Sequence, residues 1–188
     1  MRGMKYNPEK HHRRSIRLQG YDYSQPGWYF VTVVTHDRDC LFGEIAGGEM
    51  LLNDMGFIVR DEWTKTAEIR PEIWLDEFII MPNHIHGIIV IVDDNRRDET
   101  RPGGGDRRCR GDRRVAPTGP KPKSIGSIMA GFKPAATKRV NEYRVTPGQK
   151  LWQRNYWEHI IRNDTELYRI RNYIITNPQN WHEDRYHI

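Results

Sequence analysis

Two apolar runs follow one another in the middle of the chain, "EIWLDEFIIMP" over residues 72–82 and "HIHGIIVIV" over 84–92. Each has the length and β-branched content of a strand, and Pro82-Asn83 breaks the first before the second begins. The pair predicts a β-hairpin, so the chain folds around a sheet. "GWYFVTVVT" (27–35), bounded by Pro26-Gly27, reads as another strand, and "QKLWQRNYW" (149–157) as a short fourth. Between them lie helical patterns. Met55, Ile58, Val59, Trp63 and Ala67 recur at helical spacing and predict a helix from Asp54 to about Glu68, with Asn53 as its N-cap. "SIGSIMAGFKPAATKRVNEY" predicts a second, capped by Ser124 and kinked at Pro134. "TELYRIRNYIITNP" (165–178) predicts a last one, capped by Thr165 and stopped by Pro178. The order β-α-β-β-α-β-α suggests an α+β fold, a ferredoxin-like β-α-β-β-α-β sheet with an appended C-terminal helix.

The length, 188 residues, suits one domain, and 37% hydrophobic with 29% charged residues is a soluble globular composition. The longest apolar run, 88–92, is too short to cross a bilayer, and the first residues lack the apolar stretch of a secretory signal. These features predict a cytoplasmic protein without a membrane partner. Cys40 and Cys109 form no metal-binding or redox spacing.

Charge is distributed unevenly. Residues 1–18 carry six Lys or Arg against one Glu, and 93–123 carry ten against six, so with a net charge of +5 the remainder is mildly acidic. Residues 1–24 therefore read as a basic N-terminal arm suited to a polyanion, and 25–188 as a single domain. Residues 93–123, "DDNRRDETRPGGGDRRCRGDRRVAPTGPKPK", lack periodicity and apolar content and read as a disordered insertion within that domain, a solvated loop in preference to a DNA-tracking one.

His84 and His86 are two apart on a strand, so their imidazoles share one face. Such a pair is either two polar groups at a sheet's end or two ligands gripping one partner. On the last helix Tyr173 and Asn177 are four apart and also share a face. Two neutral imidazoles and an amide oxygen would hold a divalent cation with positions left for water or phosphate, Mn²⁺ at least as well as Mg²⁺. Tyr173 then makes sense as a nucleophile: a free phenol, with pKa about 10, is weak, but a metal on the phosphate makes phosphorus more electrophilic.

These residues carry a resemblance. "PNHIHGIIVI" resembles the HUH motif (His, hydrophobic, His) of single-strand endonucleases, and "WQRNYWEHIIRNDTELYRIRNYIITNP" resembles the C-terminal part of the single-tyrosine transposases, in particular the REP-associated tyrosine transposases related to the IS200/IS605 group. The likeness runs from about Trp28 to Trp181, interrupted by 93–123. It implies a Mg²⁺- or Mn²⁺-dependent endonuclease and strand transferase that cuts single-stranded DNA beside REP hairpins through a covalent 5′-phosphotyrosine, acting as monomer or homodimer. In it His84, His86 and Asn177 match the metal ligands and Tyr173 the nucleophile.

Other residues read as structural. Tyr168 leaves the last helix from a different face. Tyr156 and His159 read as packing or turn anchors, Lys133 as an ordinary exposed lysine, Asn83 as a turn former. Trp28, Trp63, Trp74, Trp152 and Trp157 read as core or partly buried aromatics. The same strand order also describes a non-catalytic RRM-like module binding single-stranded nucleic acid, although no aromatic-rich segment stands on the central strand. A phosphoesterase using histidines as acid and base would want a second pair.

Overall fold

The computed structural model describes residues 20–92 and 119–187. The expected arm and insertion fall outside the described residues except for 20–24 and 119–123, where Lys121 meets Asp22 at 2.5 Å.

Four strands form the main sheet: β1 (Gly27–Val34), β4 (Ile73–Met81), β5 (His84–Ile91) and β6 (Trp157–Ile161). Their spatial order is β4-β5-β1-β6, and every neighbouring pair is antiparallel. Helix α1 (Asp54–Glu68) leads from β1 to β4 and α2 (Ile125–Arg144) from β5 to β6, the expected ferredoxin-like arrangement, and α3 (Asp164–Thr176) follows. The 72–92 hairpin supplies the β4 edge and its neighbour β5, whose residues are all buried.

Alternation along the strands sorts two faces. Tyr29, Val31 and Val33 of β1 with Ile85, Ile89 and Ile91 of β5 pack against Val59 and Trp63 of α1 and Ile128, Phe132 and Val140 of α2. The opposite face presents Ile88, Val90 and Ile161, covered by Ile174 with Leu167 and Ile170 of α3. His84 and His86 continue this second row. Gly87, next to His86 and on the other face, lets Trp63 approach: a Cβ there would lie 2.6 Å from the indole. Gly87→Ala is therefore expected to lower stability by about 1–3 kcal/mol through overpacking, read as a shifted denaturation midpoint.

Local chemistry explains where the sequence reading held. Asn53 caps α1 by accepting from Gly56 N at 3.0 Å, and Ser124 caps α2. α2 runs through Pro134 as one helix. Three expectations need correction. Asn163, not Thr165, caps α3 by accepting from Glu166 N. α3 does end at Thr176, beside Pro178 as expected, and a separate 3₁₀ turn follows over Asn177–Glu183. The fourth strand lies at 157–161, and of 149–157 only Trp152 bridges to the sheet, at Thr35, before pairing resumes at Trp157. Over this detour the Lys133 ammonium donates to the carbonyls of Gln153, Arg154 and Asn155. Trp74 is 57% exposed and so lies outside the expected aromatic core. A second sheet, β2 (Gly43–Ala46) with β3 (Glu49–Leu52), was not foreseen; its turn is Gly47-Gly48, both at positive φ. Among the described residues no helix is long and apolar enough to cross a membrane.

Candidate active site

β5 begins at His84 because the turn before it is tied down. Asn83 O accepts from Thr35 N, and Pro82 O from Phe42 N. The Asn83 amide donates to Arg38 O at 3.0 Å and to Tyr186 O at 2.8 Å. Those two carbonyls can only accept, so the amide nitrogen must face them and Oδ1 must face His84 Nδ1, 2.8 Å away. His84 therefore carries its proton on Nδ1, and Nε2 is left as a bare lone pair. That Nε2 is buried and without a partner. Asn83 thus does more than shape a turn: it sets the tautomer of the next residue.

His86 is held differently. Thr32, directly across on β1, places Oγ1 2.8 Å from His86 Nδ1. A hydroxyl can donate or accept, so this contact tolerates either tautomer. On the other side His86 Nε2 lies 3.0 Å from the Tyr173 hydroxyl. The two imidazole centroids are 4.4 Å apart, with Phe30 stacked on His86. Burial depresses both imidazoles below the ordinary histidine range; for His84 the neighbouring His86 adds to this, and Asp184 opposes it at both.

α3 delivers the remaining groups. Its Ile170 and Ile174 seat on Ile88, Val90 and Ile161, which turns Tyr173 and, one turn on, Asn177 toward the histidines. Asn177 is buried, donates to Asp184 Oδ2 at 3.0 Å, and leaves Oδ1 buried without a partner. Tyr168, five residues before Tyr173, is 67% exposed, and the site's hydrogen bonds do not reach it.

The sequence reading missed Asp184. The 3₁₀ turn swings it back under α3, where Oδ2 accepts from the Tyr173 hydroxyl at 3.2 Å and lies 3.9 Å from His86 Nε2. Its Oδ1 accepts from Tyr186 N at 2.7 Å. Burial pushes the Asp184 carboxyl up, but His86, Asn177 and the Tyr186 amide outweigh it and hold the group well below the usual carboxylate range. Tyr173 is raised above its ordinary value, chiefly by burial and then by the charge of Asp184. Two aromatics from the same segment, Trp181 and Tyr186, lie against His84 at 5.9 and 4.8 Å between centroids.

His84, His86 and Asp184 offer donor atoms all within 4.8 Å of one another and could hold a metal ion. The fit is more than proximity. Two buried acceptors, His84 Nε2 and Asn177 Oδ1, have no hydrogen-bond partner, which a cation would supply. Imidazole nitrogen with amide and carboxylate oxygens is a donor set for Mn²⁺ or Mg²⁺. Of the other residues weighed, His159 pairs with Glu166 at 2.7 Å and anchors the start of α3, and Lys133 is occupied by carbonyls.

No family model matches the chain. It is 38% identical over 184 residues, 98% of each chain, to an uncharacterized protein of Haemophilus influenzae. It is 26% identical over 161 residues, 84% of this chain and 73% of the relative, to a second protein of that organism named "Putative REP-associated tyrosine transposase". Among solved structures, a REP-associated tyrosine transposase bound to a REP hairpin shares the fold, with a TM-score of 0.54 at 20% identity over 86% of this chain and 72% of that one. With a tyrosine, a buried histidine pair and this sheet in one place, the chain is similar to the REP-associated tyrosine transposases.

Proposed function

We propose that the protein is a metal-dependent single-strand DNA endonuclease and strand transferase acting beside hairpins, with Tyr173 as nucleophile and His84, His86, Asn177 and Asp184 around the metal. The observation that supports this best is the Tyr173 hydroxyl, 3.0 Å from His86 Nε2 and beside two buried acceptors that lack partners. Mg²⁺ or Mn²⁺, when bound, polarises a non-bridging phosphate oxygen and stabilises the charge that builds on it. Tyr173 is 40% exposed, whereas the histidines beside it are buried.

The chemistry balances within the substrate and these side chains. The Tyr173 oxygen forms a bond to phosphorus as the bond to the 3′ oxygen breaks. The phenolic proton passes to Asp184 Oδ2, the acceptor of its hydrogen bond, and from there to the departing 3′ oxygen. One phosphodiester is exchanged for another, so a free 3′ hydroxyl can reverse the step without an external energy source. The relative bound to a REP hairpin supports hairpin DNA as the partner class.

An RRM-like module is disfavoured by one feature: α3 covers the sheet face that such a module leaves open for stacked bases. Incubation with hairpin-bearing single-stranded DNA and Mn²⁺ should yield a protein–DNA adduct that survives denaturing electrophoresis. Absence of any adduct with Mn²⁺ or Mg²⁺ would refute the reading.

A further inference from the structure

A groove of about 530 Å³ lies between the C-terminal half of α2 and residues 148–154, apart from the histidine site. Lys133, Lys138, Lys150 and Arg154 line it, and no Asp or Glu does. Its walls are fixed in advance. Asn141 Nδ2 donates to Gln149 O at 2.8 Å, the Lys133 ammonium clamps the carbonyls of 153–155, and Gln153 N donates to Val34 O at 2.9 Å. Lys133 is spent on that clamp. Lys138, Lys150 and Arg154 stand exposed along the rim, and Lys138 has only a solvent-screened partner, Glu142 at 3.8 Å.

The groove also adjoins the site. Val34 is paired with His84 on one side and bonded to Gln153 on the other. Two strand spacings, about 10 Å, separate the backbone of His84 from the groove wall. A chain of phosphates leaving Tyr173 and rounding the end of β1 would enter a channel with cations on both banks.

We infer that this groove binds the phosphodiester backbone of the single DNA strand that runs on from the scissile phosphate. The inference rests on the strand-transferase reading above. The chemistry is phosphate neutralisation by exposed cations on a rigid frame, which is independent of base sequence and sensitive to salt.

The test is binding of a labelled single-stranded oligonucleotide of mixed sequence in EDTA, followed by anisotropy across a salt series. Lys150→Ser with Arg154→Ser should weaken binding roughly tenfold near 0.1 M salt and lower the slope of log K against log salt by about 1.4, or about 0.7 per lost phosphate contact. Arg60→Ser with Lys65→Ser removes the same charge from α1 and should leave the slope unchanged. An unaltered slope in the groove variant, or an equal loss in the α1 variant, overturns the inference. A wild-type protein that forms the Tyr173 adduct yet shows no groove effect would sink the groove alone; one that forms no adduct would sink the earlier reading instead.

Discussion

Tyr173→Phe is expected to abolish both the covalent adduct and strand cleavage while leaving hairpin binding near wild type. Phenylalanine keeps the ring and so keeps its edge contact with Phe30 and its packing on His86. What disappears is one oxygen, with its hydrogen bonds to His86 and Asp184. Losing these should cost about 1 kcal/mol of stability, too little to unfold a domain. The chemical effect has no such floor, because no other hydroxyl of α3 reaches the histidines. Tyr168→Phe is the matched control, since five residues of helix turn its side chain about 140° away from Tyr173. A denaturation-resistant adduct from Tyr173→Phe, or its loss in Tyr168→Phe alone, would move the nucleophile elsewhere.

His84→Ala should have a comparably large effect by a different route. It removes the imidazole whose Nε2 is buried and without a partner, so Mn²⁺ binding measured by calorimetry or electron paramagnetic resonance should be lost together with cleavage. Hairpin affinity in EDTA should persist, since the imidazole is buried where DNA cannot touch it. Asn83→Leu supplies a graded version. It leaves His84 in place but frees its tautomer, and a loss of about 10–100-fold in metal affinity is expected, the range for partners that orient a ligand. Wild-type Mn²⁺ affinity in His84→Ala would remove His84 from the metal site.

The sequence disclosed those parts of the molecule that local chemistry determines. Helix α1 was legible end to end because its apolar spacing and the Asn53 cap agree. The β4–β5 hairpin was legible from its composition and its Pro-Asn break. His84, His86, Tyr173 and Asn177 could be grouped because strand and helix periodicities put each pair on one face. Asp184 could not. It follows a 3₁₀ turn with no regular period, and its position is set by Asn177, Tyr173 and the Tyr186 amide. β6 was misplaced for a similar reason: Leu151–Trp157 has strand composition, but the carbonyls of 153–155 are taken by Lys133, at least 20 residues away in the chain. The β2–β3 hairpin did carry a signal, Gly47-Gly48 between two short apolar pairs, that deserved a strand assignment.

The hydrogen bond between His86 and Tyr173 spans 87 positions of chain, and the connection from β5 to α2 lies within that span. For a flexible loop the entropy of closure grows only with the logarithm of its length. Shortening the span by about 30 residues would change that cost by only about 0.4 kcal/mol. The point after β5 is thus one where chain length is nearly neutral to assembly of the site. Related chains are free to differ there in length while their histidines and tyrosine still meet.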